Sequence, residues 1–254
     1  MICLWQVRAL RRVPEWPGAN DWGSSLGLMQ KAGKKIGYHH HDLRTALQDA
    51  ALVFIAERHS PDFSLRELAA ALGVSHPAVY RHFADKAALL EALAERGFSE
   101  LRRYQGVEIA KAGPGALEQL YALNDAYIRF AEENAGSFWL MFGNRGEEVS
   151  RAKSRERINS DALMSLITAI ERCQAEGHVI PGDPYRLAGY LVMAPHGYAC
   201  YSSQDRAMIG IEEHMMTARM LGEINLIPVL THPPSPQEIA ARYFAPVPET
   251  DAAG

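Results

Sequence analysis

One stretch constrains this chain more than any other: "FSLRELAAALGVSHPAVYRHFADKAALL", residues 63–90. Ser64-Leu65-Arg66-Glu67 has the spacing of a capping box, in which the serine hydroxyl takes the third N–H of a helix and the glutamate reaches back. Leu65, Leu68, Ala69 and Leu72 then mark an inward face. Gly73 stops the helix, because it takes the left-handed conformation at little cost. Val74 anchors the turn and Ser75 is placed to cap a second helix. Pro77 falls in that helix's first turn, where a missing N–H is tolerated. Ala69 must be small, since the second helix crosses over it. With Val79 and Phe83 turned to the core, His76, Pro77, Tyr80 and Arg81 are left outward. Two short helices set at a steep angle by a tight turn form a helix-turn-helix. The first residues of the second helix are the ones that reach base edges in a DNA major groove. The alternative on geometry alone is a helical hairpin of another all-α protein.

The remaining pattern is helical almost throughout. A helix is expected from Asp42 to Arg58, with Leu43, Ala46, Leu47, Ala50 and Phe54 as its apolar stripe. Beyond Arg103, Gly113-Pro114-Gly115 interrupts the run. Longer amphipathic helices follow in "ALEQLYALNDAYIRFAEENAGSFWLMFG" and in "SRERINSDALMSLITAIERCQAEGHVIPGD", the latter ended by Gly177 and Pro181. The fold class is therefore all-α. A three-helix DNA-binding domain is expected over residues 38–103, and a helical ligand-binding and dimerisation domain over 104–228. A disordered extension with a basic arm is expected over 1–37, and both Met1 and Met29 stand as candidate starts. A Pro-rich tail is expected over 229–254, holding one short helix at Pro236–Phe244.

Charge divides along the same line. Residues 31–103 carry 11 Lys/Arg against 9 Asp/Glu and six of the ten histidines; residues 104–254 carry 12 against 19. A polyanion is therefore expected at the N-terminal end, with Lys31, Lys34 and Lys35 as a possible arm on its backbone. No window approaches the run of about 18 apolar residues that a membrane helix needs. The first residues do not have the form of a signal peptide. Three cysteines, Cys3, Cys173 and Cys200, fit a reducing cytoplasm and read as ordinary thiols ahead of a Cys173–Cys200 switch. His39-His40-His41 lacks metal-ligand spacing, and no metal or cofactor is expected.

Residues 38–103 resemble the DNA-binding domain of the tetracycline-repressor (TetR) family of transcriptional regulators. "YHHHDLRTALQDAALVFIAERH", "FSLRELAAALGVS" and "AVYRHFADKAALLEAL" carry the match. His41 stands where family members often have glycine. The resemblance implies roles for particular residues. Arg66 would reach the groove from the first helix of the motif. His76, Pro77 and Ala78 would read bases, and Tyr80 would touch phosphate and sugar. Arg81 would take a base or a phosphate. Lys86 would contact phosphate together with its helix N-terminus. Ser64 and Ser75 would donate to phosphates or cap their helices.

The C-terminal half resembles the family's ligand-binding domains of the type named for a Trp…His-Gly motif. His196-Gly197 is present, Val192 stands at the usual tryptophan, and Pro195 precedes the histidine. The expected effector pocket is mostly apolar, formed by Tyr121, Asn124, Phe138, Trp139, Phe142, Met164, Met193 and His196. Apolar seams in residues 183–203 (Leu187, Leu191, Ala194, Tyr198, Tyr201) and 206–225 (Met208, Ile211, Met215, Ala218, Gly222) suit a four-helix interface between two copies. The expected function is a dimeric, non-enzymatic repressor released from a palindromic double-stranded DNA operator by a small molecule. The alternatives are a helical adaptor with a vestigial DNA module and a metal-dependent enzyme. The latter lacks a paired-His helix, a phosphate loop or a nucleophile elbow.

Overall fold

The computed structural model describes residues 43–142, 153–201, 208 and 216–244, with backbone only for 153–160. Expectations about Met29, the lysine arm, His39–His41, Ile211, Met215 and residues 245–254 lie outside these. The described helices are α1 (Leu43–Arg58), α2 (Leu65–Ala71), α3 (His76–Tyr80), α4 (Lys86–Ala112), α5 (Ala116–Glu133), α6 (Ala135–Phe142), α7 (Lys153–Ala175), α8 (Pro184–Ala199), α9 (Ala218–Leu226) and α10 (Pro236–Tyr243). Among the described residues no helix is long and apolar enough to cross a membrane, and extended pairing is limited to one bridge, Val179 with Leu230.

The local signals produce these elements. The Ser64 hydroxyl accepts from the Glu67 N–H at 3.1 Å, and the Ser64 N–H donates to the Glu67 carboxylate at 2.7 Å. Gly73 turns the chain at φ 65°, and the Val74 N–H returns to the Ala69 carbonyl at 3.0 Å. Val79 is fully buried and Phe83 nearly so; each such side chain contributes about 1.5–3 kcal/mol. One local expectation fails: Ser75 makes no side-chain capping bond. Its carbonyl instead accepts from the Ala78 N–H at 2.9 Å.

α4 joins the two halves. Its 27 residues span about 40 Å. Leu89, Leu90 and Leu93 enter the core built on α1–α3, while Phe98, Leu101 and Tyr104 enter a second core with α5 and α6. The boundary expected after Arg103 thus lies inside one continuous helix.

α6 is the other connection. Gly136 is buried in its first turn, and a Cβ there would lie 2.2 Å from the Leu52 carbonyl oxygen. Only glycine lets α6 come this close to the backbone of α1. Leu140 enters the α1–α3 core, and Trp139 packs against it. Trp139 stacks on His59, with ring centroids 4.4 Å apart. His59 ends α1 at φ 50°, a conformation histidine tolerates better than most side chains.

Three C-terminal expectations change. The seam on α8 faces inward: Leu191 is buried and Leu187 packs against the same core. The outward stripe of α8 is Gly189, Tyr190, Met193 and Gly197. Residues 206–225 are not one helix, because Thr217 is extended and caps α9, accepting from the Met220 N–H at 3.1 Å. The tail also starts later than residue 229. Val229 is buried, its carbonyl accepts from the Ile180 N–H, and the Thr231 N–H donates to His178. α10 forms at Pro236–Tyr243 under its own capping box and meets α9 through Glu223, which accepts from Arg242 and Tyr243.

Candidate nucleic-acid interface and effector cavity

The helix-turn-helix presents an uncovered face. Ser64, Arg66, Ser75, His76, Pro77, Tyr80 and Arg81 are exposed, and Ala78 and Lys86 are half-buried. α3 ends at Tyr80, sooner than the apolar pattern indicated, and a further turn follows in which the His82 and Phe83 N–H groups both reach the Val79 carbonyl. The His76 and Tyr80 rings meet edge to face at 4.9 Å, one turn apart on the outer side of α3. This contact restricts two side chains that would otherwise be mobile. His82 is held from behind: its carbonyl accepts from Arg44 at 2.9 Å, and that guanidinium covers Phe83 at 4.4 Å.

Lys86 opens α4 with its ammonium 5.3 Å from the Phe63 ring centre. Beside it, the Asp85 carboxylate accepts from the Ala88 N–H at 2.8 Å. The helix end therefore already holds one anion, and a phosphate arriving there would share the terminus with Asp85.

A cavity of about 420 Å³ lies among α4, α5, α6, α7, α8 and α9. Its wall is largely aliphatic, with Leu101, Leu120, Leu123, Leu163, Leu166, Leu191 and Leu226. Among the described residues, none that lines it carries a formal charge except through titration of His196. Of the eight residues expected there, Asn124, Phe142, Met193 and His196 line it. Met193 is 70% exposed and sits at its rim. Phe138 is fully buried, with its ring 5.5 Å from His196. The other three point elsewhere. Trp139 faces α1, one residue and about 100° round the helix from Phe138. Met164 faces outward near the Tyr185 hydroxyl, and its neighbour Leu163 takes the cavity position. Tyr121 lies under the Arg219 guanidinium at 4.2 Å.

The polar groups of the wall come mainly from residues the sequence reading did not select. Tyr127 and His196 share a hydrogen bond of 2.7 Å between the hydroxyl and Nδ1. Burial pushes the Tyr127 hydroxyl up and the His196 imidazole down, so both are neutral near pH 7. Pro195 has no N–H, which frees the Leu191 carbonyl one turn earlier. Asn225 of α9 donates to that carbonyl at 2.8 Å. The proline thus ties α8 to α9 where an ordinary residue would have closed its own helix. Gln105 of α4 donates to the Ala162 carbonyl at 3.3 Å, and Asn124 donates to Ala218 at 2.9 Å.

His196 gives a pH-dependent stability. Its folded pKa is depressed below the ordinary value of about 6.5. The unfolded chain therefore binds the proton first, and stability falls as pH drops from there to the folded value, then levels. The thermal midpoint is expected to fall between about pH 7 and 5, and His196→Gln is expected to flatten part of that fall. Identical profiles for both proteins would contradict this.

Comparison with known proteins agrees with the architecture. The family model for bacterial regulatory proteins of the tetR family matches residues 47–93, which span most of α1 and the whole helix-turn-helix. Nucleoid occlusion factor SlmA from Aliivibrio fischeri is 32% identical over 161 residues, covering 61% of this chain and 80% of that protein. A protein of unknown function from Rhodococcus sp. RHA1 is 29% identical with a TM-score of 0.60, over 75% of this chain and 94% of that one. A regulatory protein of the tetR family from Rhodococcus RHA1 shares the fold, at 21% identity and a TM-score of 0.57, over 73% and 96% of the two chains. A helix-turn-helix carried on α1 and joined by one long helix to an all-α second half places the sequence in a known lineage: the chain belongs to the TetR family of bacterial transcriptional regulators.

Proposed function

We propose that this DNA-binding regulator acts as a dimeric, non-enzymatic repressor that a small apolar molecule releases from its operator. The observation that carries the reading is α6. One face of this short helix supplies Phe138 and Phe142 to the aromatic nest around His196. Its other face lies on α1 through Gly136, Trp139 and Leu140. A ligand that moves His196 or Phe142 moves a helix in backbone contact with the DNA-binding half. α4 adds a rigid second link through both cores. Coupling of this kind is typically about 1–3 kcal/mol, or 5- to 150-fold in affinity.

Arg66, His76, Pro77, Ala78, Tyr80, Arg81 and Lys86 are the residues assigned to DNA, with the Ser64 and Ser75 hydroxyls on phosphates. Ser75, lacking a capping bond, is the better donor of the two. Dimerisation is assigned to the outward stripe of α8, where Tyr190 and Met193 stand exposed between two glycines. A two-fold pair of helix-turn-helix motifs would engage half-sites about 34–36 Å apart, or a multiple of that.

Selection of genomic fragments by the purified protein, followed by mobility shift at stated salt and light scattering, tests this reading. A palindromic site bound by a dimer is expected. A monomer at micromolar concentration, or retention of no fragment above background, contradicts it; failure to retain DNA is what the adaptor reading requires.

A further inference from the structure

α3 carries the face assigned to DNA, yet it has only five residues, well short of the about 12–15 at which a lone helix holds in water. Its direction is set by its anchors. On the inner side Val79 and Phe83 enter the α1–α3 core. At its end the His82 and Phe83 N–H groups share one acceptor, the Val79 carbonyl, at 3.0 and 3.1 Å. The His82 carbonyl is held from α1: the Arg44 guanidinium donates to it at 2.9 Å, across 38 residues of sequence. The same guanidinium lies 4.4 Å from the centre of the Phe83 ring. A planar guanidinium can donate in its plane and cover a ring with its face, which suits arginine to this position.

The tie falls between two cations of the face. Arg81 precedes His82 and is exposed, and Lys86 opens α4 shortly after Phe83. Lys86 is seated on the same core, its ammonium 5.3 Å from the centre of the buried Phe63 ring. The connection from Arg81 to Lys86 is therefore held at its middle by α1 and at its far end by Phe63. Without the Arg44 bond the His82 carbonyl could turn, and the spacing of the two cations would be less firmly set. A contact surface fixed before binding raises affinity by cutting the ordering cost on association.

Resting on the assignment of this face to DNA, we propose that Arg44 is a positioning residue for DNA binding. From α1 it fixes the α3–α4 connection, so that Arg81 and Lys86 meet the duplex in one register. It acts through those two side chains and not through a phosphate contact of its own.

A double-mutant cycle on the full chain tests this, with a duplex carrying the genomic fragment that the parent protein selects. All affinities are measured at one low salt concentration, well below the unfolding midpoint. Arg44→Met keeps an apolar stem beside Phe83 and removes the donor. It is expected to weaken binding at least about fivefold in the parent background, and by less than about twofold in Arg81→Ala/Lys86→Ala. The thermal midpoint of Arg44→Met is expected within about 3 °C of the parent's, which separates the loss from unfolding. Arg44→Gln, too short to reach His82, repeats the cycle with the same expected pattern if the methionine variant folds poorly. An equal loss in both backgrounds overturns the proposal, since Arg44 would then contact DNA independently. Parent-like binding by the Arg44 variants, with Arg81→Ala/Lys86→Ala weakened, overturns it while the face stands. Parent-like binding by Arg81→Ala/Lys86→Ala removes the reading of the face and the proposal with it.

Discussion

Gly136→Val is expected to lower the thermal unfolding midpoint by about 6–12 °C, corresponding to about 3 kcal/mol. The position has no room for a side chain, because even a Cβ would stand 2.2 Å from the Leu52 carbonyl oxygen. That neighbour is backbone within α1 and cannot rotate away. α6 must therefore lift from α1, which withdraws Leu140 and Trp139 from the α1–α3 core. A second effect follows if α6 carries the signal. Operator affinity should then respond to ligand less than in the parent. Calorimetric scanning measures the first effect and operator titration with and without a ligand bound in the cavity the second. A midpoint within about 2 °C of the parent's would contradict the close packing of the two helices.

The local parts of this structure were legible in the sequence because local chemistry builds them. Ser64 and Glu67 close their capping box within one turn, Gly73 supplies the positive φ, and Val79 and Phe83 bury themselves one turn apart. Ser75 has the right residue type for a cap yet makes no side-chain capping bond, which composition cannot foretell. The cavity was half legible. Phe142 and His196 were found from aromatic clustering, but Trp139 was assigned with them although helical phase turns it toward α1. Gln105 lies beyond Arg103, the expected end of the DNA-binding domain, but α4 runs on to Ala112 and carries it into the wall. The seam on α8 failed for a general reason: an apolar repeat of three and four residues looks the same whether it packs within one chain or between two. The Asn225 bond to Leu191 joins residues 34 apart. It follows from Pro195 only once α9 is known to lie beside α8.

The larger functional effect is expected at the helix-turn-helix. Tyr80→Ala and Lys86→Ala should each weaken binding to any DNA sequence by roughly tenfold, the scale of one charge-assisted or phosphate contact. Tyr80 is 48% exposed and held edge-on by His76, so it is already oriented outward before DNA arrives. His76→Ala should act differently, relaxing preference at one or two base positions with a smaller loss of overall affinity. The most direct measurement is the affinity of parent and Lys86→Ala for the recovered operator across a salt series. An ammonium that neutralises one phosphate contributes about 0.9 to the slope of log K against log salt. The account predicts a slope shallower by about that amount in Lys86→Ala, together with a uniform loss of affinity. Parent-like slope and affinity in Lys86→Ala, with Tyr80→Ala also binding like the parent, would contradict the assignment of this face to DNA.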